Sequence, residues 1–452
     1  MRLPLILALL AATPAAADPV TEARAILKEA VEVSTVAGRG QVPALAEKLQ
    51  ARLVAAGYSP GDVKVEKVGE TAMLSAVYRG TGKARPIAVI GHMDVVEADP
   101  KDWTRDPFKL VEDGGYLFGR GVFDNKFDLS LIVETLVRLK AEGFKPGRDI
   151  ILYLSGDEET TGETSILQAQ QAKAANVEYV LNGDAGGGLI DAAGKPLEYS
   201  LSAAEKTYAD FAATVTNPGG HSSLPTTPNA IVQLGAATAR MAAYQFPPQL
   251  SEITRASLKA SGLKQGGPLG AAMVAFAASP QDSAAIATLR GHPETIGQIG
   301  TTCVPTMING GHAPNALPQR VTVTINCRIF PGVEIEAVRQ ALVAAAADPA
   351  VTLKPTRDFR SSPPSPLRPD VVAAVDTAVH GRFPGFKVVP GMDAGASDSI
   401  FYRALGIPSY GVSGMFIKAD DVFIHGLNER VPVGSIAPGL AHWHSLLTTL
   451  TK

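Results

Sequence analysis

Five side chains able to bind a metal stand where apolar runs end: His92 and Asp94 in IAVIGHMDVV, Glu158 and Glu159 in IILYLSGDEET, and Asp184 in YVLNGDAGGG. Asp124 and His425 lie in loop-like segments between and beyond them. Imidazole and carboxylate are donors that divalent cations take, and the carboxyl ends of parallel strands line the ligand crevice of an open α/β sheet. Each residue alone has a plainer explanation. Asp157, Glu158 and Glu159 before Thr160 and Thr161 make an acidic turn suited to a helix N-terminus, and Asp124 suits an N-cap. Taken together they read as a metal site, because carboxylates gathered in one crevice need a cation to coexist.

The elements that must position these residues alternate strand and helix. Residues 21–57 read as helical, with Leu45, Leu49 and Leu53 four apart and Gly57 at the C-cap. Strand-like runs follow at 64–68, 72–79 and 86–90; the GTGK turn at 80–83 lacks the spacing and hydroxyl residue of a phosphate-binding loop. An amphipathic helix is expected over 128–140, ended by Gly143. From about Lys206 the pattern becomes β-α-β-β-α-β: YADFAATVTN, a helix at 229–244, two β runs around Cys303 and Cys327, a helix at 334–346 and a strand at 351–355. Residues 246–299 form an extra, largely helical segment within it. After SSPPSPLRP the α/β pattern returns, with helices at 370–380 and 435–450 and the strand IPSYGVSG. The expected architecture is a discontinuous α/β catalytic domain, 18–205 and 359–452, interrupted by an inserted α+β lid domain at 206–358.

A chain of 452 residues is too long for one ordinary core. Its net charge of -3, with Lys and Arg scattered, argues against a nucleic-acid surface and for a small substrate. Met1-Arg2, the apolar stretch Leu3 to Ala12 and the small residues before Asp18 read as a signal peptide ending at Ala17, hence an exported, periplasmic or secreted protein; a retained anchor is the other reading. No later stretch reaches about 18 uninterrupted apolar residues. Cys303 and Cys327 fall opposite one another if their runs pair about a centre near Asn315, which leaves open a cross-strand disulfide or two buried thiols.

HMDVV (92–96), GRGVFDNK (119–126), GDEETTG (156–162), GGHSS (219–223), NALP (315–318), GASDS (395–399) and IHGLNER (424–430) follow one another along nearly all of the mature chain. In this order they resemble the M20 metallopeptidase family, which includes carboxypeptidase S-like, aminoacylase-like and dipeptidase-like enzymes. The resemblance implies a zinc-peptidase-like domain with a lid. It implies that His92 and Asp184 hold one Zn²⁺, Glu159 and His425 a second, and Asp124 both, with Co²⁺ or Mn²⁺ as substitutes. Glu158 is then the general base, Asp94 fixes the His92 tautomer, and His221 on the lid donates to the oxyanion. Arg328, Asn315 and Ser397 match substrate-contacting positions, Arg328 for a carboxylate, and the Asp124–Asn125 peptide is expected to be cis. Asp184, where relatives carry Glu or Asp, is similar to the dipeptidase and aminopeptidase members. The activity implied is hydrolysis of small peptides with a free carboxylate, of dipeptidase or carboxypeptidase type, in a monomer or a homodimer formed through the lid. The alternatives are an N-acyl-amino-acid amidohydrolase and an inactive peptide-binding protein of the same fold.

Overall fold

Buried apolar runs meet at the centre of a ten-stranded mixed sheet in the computed structural model, which describes residues 18–452. The expected leader, Met1–Ala17, lies outside the described residues. Ile150–Ser155, Ile87–His92 and Val180–Asn182 lie side by side and parallel, so the segments following them leave the sheet at one edge. All three are buried along their whole length, as strands covered on both faces must be. Thr71–Tyr78 and Val63–Val68 extend the sheet antiparallel on one side. Ser409–Gly411, Pro196–Glu205, Gly187–Ile190 and Phe416–Lys418 extend it on the other, with Val389–Asp393 parallel to Pro196–Glu205.

Alternate residues of each central strand face different helix layers. Ile87 and Val89 join the core formed with Pro19–Glu32, Lys126–Ala141, Pro369–Arg382 and Ile436–Leu450, whereas Ala88 and Ile90 meet Ala169, Ala172 and Tyr402. The single helix expected over 21–57 is two, Pro19–Glu32 and Val42–Ala55. Gly38 and Gly40 take φ of +79° and +60° between them, while Thr35 bonds the Met93 carbonyl and Val36 bridges Val95. Those contacts outweigh the helical pattern and hold the chain beside the segment that carries His92 and Asp94.

The inserted unit is a four-stranded antiparallel sheet ordered Thr302–Gly310, Arg320–Ile329, Thr207–Thr216, Thr352–Pro355. Helices Ala230–Ala243 and Ile335–Ala346 cover one face, burying Leu234, Met241, Val338 and Leu342 against Phe211, Val323 and Ile325. Cys303 and Cys327 are paired across the first two strands and form a disulfide. The extra segment folds into helices Glu252–Gln265, Gly267–Ala278, Ser283–Arg290 and Pro293–Ile296 around Leu258, Met273, Phe276 and Leu289. It lies against the catalytic domain: Ile253 joins the main core, Glu252–Gln265 packs on Val389–Asp393, and Lys264 bonds the Leu197 carbonyl.

Candidate metal centre and its cavities

Strand Ile87–His92 delivers the His92 ring into the crevice at its carboxyl end. Glycine at 91 leaves room there for Asn125, whose Oδ1 accepts from the His92 N–H and would lie 2.6 Å from a Cβ. His92 Nδ1 lies 3.0 Å from the Asp94 carbonyl oxygen, which leaves Nε2 facing Asp124 Oδ1 at 2.9 Å and Asp184 Oδ1 at 3.5 Å. Asp124 turns its other oxygen to His425 Nε2 at 3.1 Å, and Glu159 Oε1 reaches the same nitrogen at 3.0 Å. Asp124 is therefore common to two ligand groups, His92–Asp124–Asp184 and Asp124–Glu159–His425; a third overlapping group joins His92 with Glu158 and Glu159. The Asp124–Asn125 peptide is cis, as the resemblance implied.

This cluster draws positive charge strongly. Hydrogen bonds to Asp124 and Glu159 push His425 up to about 10. Burial, with carboxylate neighbours adding to it, lifts Asp184 and Glu158 well above the usual carboxylate range. Burial acts in the same direction on Asp124, but the hydrogen bonds of His425 and His92 hold it low. Imidazoles and carboxylates converging around one shared carboxylate fit a pair of divalent cations, zinc among them, and the centre is a dinuclear metal site.

The sequence pattern of peptidase family M20/M25/M40 matches residues 88–449. The chain belongs to this family. The N-fatty-acyl-amino acid synthase/hydrolase PM20D1 of Xenopus tropicalis is 28% identical to it over 382 residues, 83% of this chain and 74% of that protein. A probable carboxypeptidase S-like 2 of Dictyostelium discoideum is 26% identical over 407 residues, 86% of this chain and 77% of its own length. The M20 family metallo-carboxypeptidase Sso-CP2 of Sulfolobus solfataricus shares the fold, with a TM-score of 0.72 at 17% identity, covering 95% of this chain and 99% of the other.

In this M20 peptidase several residues outside the candidate metal groups hold those groups in place. Glu429 accepts from the backbone N–H groups of Gly121, Phe123 and Asp124 and pairs with Arg120 at 2.7 Å. Arg120 in turn donates to the His425 carbonyl, so one buried ion pair ties the loops of two ligands together. The Asp94 carboxylate accepts from the N–H groups of Glu158 and Glu159 at 3.1 and 3.0 Å, while the shorter contact to His92 comes from its carbonyl. Asn182 accepts from Asp184 N and donates to Ser397 and Ser399; Ser397 donates to Glu205, which pairs with Arg403 at 2.9 Å. Asp157 alone performs the acidic-turn task, accepting from Glu163 and Thr164 at the start of helix Glu163–Ala174. Asp124 does not cap the helix that follows it, where Asn125 occupies the cap position.

Two cavities, of about 490 and 430 Å³, open beside the centre and share Glu158, Glu159, Ser397 and His425. The larger has an apolar wall of Phe123, Leu189, Met415, Ile417, Val422 and Ile424, with Glu198 and Asp393 also reaching it. Part of its lining is the bare backbone of 186–188; at Gly186 φ is +78° and a Cβ would lie 2.3 Å from the Gly411 carbonyl oxygen. The lid residues are elsewhere. His221 and Asn315 are exposed on the paired segments Gly220–His221 and Ala316–Leu317 or just before them, and His221 Nδ1 lies 2.7 Å from Ser223 Oγ. Arg328 donates to the Ala394 carbonyl and stacks over Tyr208 at 4.8 Å, and none of the three lines either cavity.

Proposed function

We propose that this M20 peptidase hydrolyses the amide bond between an apolar acyl group and a free amino acid. The apolar wall beside the metal centre carries this reading. An acyl chain laid along Leu189, Met415, Ile417 and Ile424 brings its carbonyl to the carboxylate cluster and loses contact with water, which favours binding. The likeness to the Xenopus tropicalis N-fatty-acyl-amino acid synthase/hydrolase supports it. The dipeptidase or carboxypeptidase reading keeps one specific observation: Glu198 and Asp393 reach the same cavity and suit a free ammonium group.

In this proposal His92 and Asp184 hold one zinc, Glu159 and His425 the other, and Asp124 both. When bound, such a metal pair supplies a water of lowered pKa and an electrophile for the amide carbonyl. Glu158 reaches both cavities, and its side chain makes no hydrogen bond among the described residues. It takes the proton of the attacking water and delivers it to the leaving nitrogen. Asp94 fixes the aim of Glu158 and Glu159 through their backbone N–H groups. Ser397, at the shared wall, contacts the substrate; the oxyanion role of His221 and the substrate contacts of Asn315 and Arg328 require the lid to close, or a second subunit's lid to reach in. The leader expected over Met1–Ala17 makes the enzyme exported, and no helix among the described residues is long and apolar enough to cross a membrane.

The deciding experiment compares the zinc-loaded protein on N-decanoyl amino acids and on free dipeptides, with Glu158→Gln and chelated protein as controls. A kcat/KM at least about tenfold higher on the acylated substrates, abolished in both controls, is expected. Faster turnover of free dipeptides transfers the assignment to the dipeptidase reading.

A further inference from the structure

Two stretches of backbone join the inserted unit to the catalytic domain, one at 205–207 and one at 356–368. A unit attached at two such points turns on them as on a hinge unless a further interface opposes it. The extra helical segment, 246–299, supplies that interface.

Its ends belong to the inserted unit. Phe246 packs against that unit's core, Arg290 donates to the Phe246 carbonyl at 2.7 Å, and Gln249 N donates to the Ile299 carbonyl at 2.8 Å, so the segment leaves and returns at one place. Its body lies on the catalytic domain: Ile253 is buried in the main core, helix Glu252–Gln265 packs on strand Val389–Asp393, and Lys264 Nζ reaches the Leu197 carbonyl at 3.1 Å. Between ends and body the segment is tightly packed. A Cβ at Gly262 would lie 2.7 Å from the Gly270 carbonyl oxygen, and one at Gly270 would lie 2.4 Å from that of Gly262, so helices Glu252–Gln265 and Gly267–Ala278 meet backbone to backbone.

Lys206 stands where the three parts meet, buried at the first crossing. Its Nζ donates to the Gly300 carbonyl at 2.7 Å, at the end of the segment, and to the Arg328 carbonyl at 3.3 Å, on a strand of the inserted sheet. Its backbone N–H donates to the carbonyl of Asp393, which ends the catalytic strand under the segment and lines the larger cavity. A buried ammonium that loses its acceptors is left uncompensated, so moving any one part away from the others is costly.

We propose that segment 246–299 is a strap that fixes the inserted unit to the catalytic domain of its own chain, with Lys206 as its pin. The unit keeps one orientation instead of swinging shut, and this chain's His221 and Asn315 stay outside its own two cavities. The inference goes beyond the amide-hydrolysis reading and stands without it.

Distances between spin labels, read by pulsed electron paramagnetic resonance, test the strap. Ala239→Cys on the inserted unit is paired in turn with Ala51→Cys and with Ala373→Cys on the catalytic domain; all three positions are exposed on helices, and the two native cysteines are bonded to each other. Dilution with unlabelled protein restricts the signal to distances within one chain. The parent should give one narrow distribution for each pair, the same before and after zinc loading. Lys206→Met combined with Ile253→Ser, and a chain in which 250–298 is replaced by a Gly-Gly link, should each widen both distributions about twofold or more. A broad or two-peaked distribution in the parent overturns the proposal. So does an unchanged narrow distribution in a loosened variant that keeps the parent's circular dichroism; if the excised chain does not fold, the point variant decides.

Discussion

Glu429 shows how much of the centre depends on a residue that cannot touch a metal. Its buried carboxylate gathers three backbone N–H groups of the loop carrying Asp124, and its partner Arg120 reaches the carbonyl of His425. Replacement by Gln leaves Arg120 buried without its counter-charge, so Glu429→Gln should lose about 3 kcal/mol or more in denaturant unfolding. Its metal content by elemental analysis should also fall below two per chain. Glu158→Gln should behave oppositely, keeping two metals and unchanged stability while kcat drops by roughly a thousandfold. The residues that gather into the candidate metal groups were legible as a set because each stands at the end of an apolar run or inside a recognisable motif. Glu429 also lies in such a motif, IHGLNER, but its task exists only once the 119–125 loop folds beside it, and no local pattern records that proximity. The Glu205–Arg403 pair, joined to Asp184 through Ser397 and Asn182, was hidden for the same reason.

At the scale of elements, the lid shows what alternation in a sequence can and cannot specify. The β-α-β-β-α-β order was readable from periodicity, and the pairing centre near Asn315 follows from the observed register of Cys303 opposite Cys327. The break between Pro19–Glu32 and Val42–Ala55 was not readable, because contacts of Thr35 and Val36 with Met93 and Val95 override a continuous helical pattern. The position of the 246–299 helices was equally hidden, since their own core says nothing of the surface they dock on. The disulfide closes a loop with a sequence separation of 24, and opening it should release about 3 kcal/mol of loop entropy into the unfolded lid. Cys303→Ser with Cys327→Ser should therefore melt at a lower temperature while its metal content stays at two per chain, a combination that calorimetry and elemental analysis can separate.

For the whole molecule, stability should follow pH through a residue outside the metal centre. His442 is buried in helix Ile436–Leu450, its Nε2 2.9 Å from the Val412 carbonyl oxygen, and burial pushes its pKa down to about 4. The unfolded chain takes up that proton near pH 6.5 and the folded chain only near 4, so stability is full above 6.5 and is lost as pH falls between those values. Urea unfolding at pH 7 and pH 4 should show the parent losing about 3 kcal/mol more than His442→Gln across that interval. An equal loss in both proteins would assign the acid sensitivity to other groups. Chelation should lower the melting temperature of the intact enzyme, because the bound metals favour the folded state by mass action. The division into a catalytic domain and an inserted unit was visible as a change of texture near Lys206, yet its temporal meaning emerges only from the placement of His425. A ribosome releases His92, Asp124, Glu159 and Asp184 early and His425 only near the end of the chain, with the entire lid in between. A nascent chain therefore carries four residues of the metal groups long before His425, and Glu429, which gathers the loop of Asp124, follows only after it, so the centre is completed by the last part of the chain to be made.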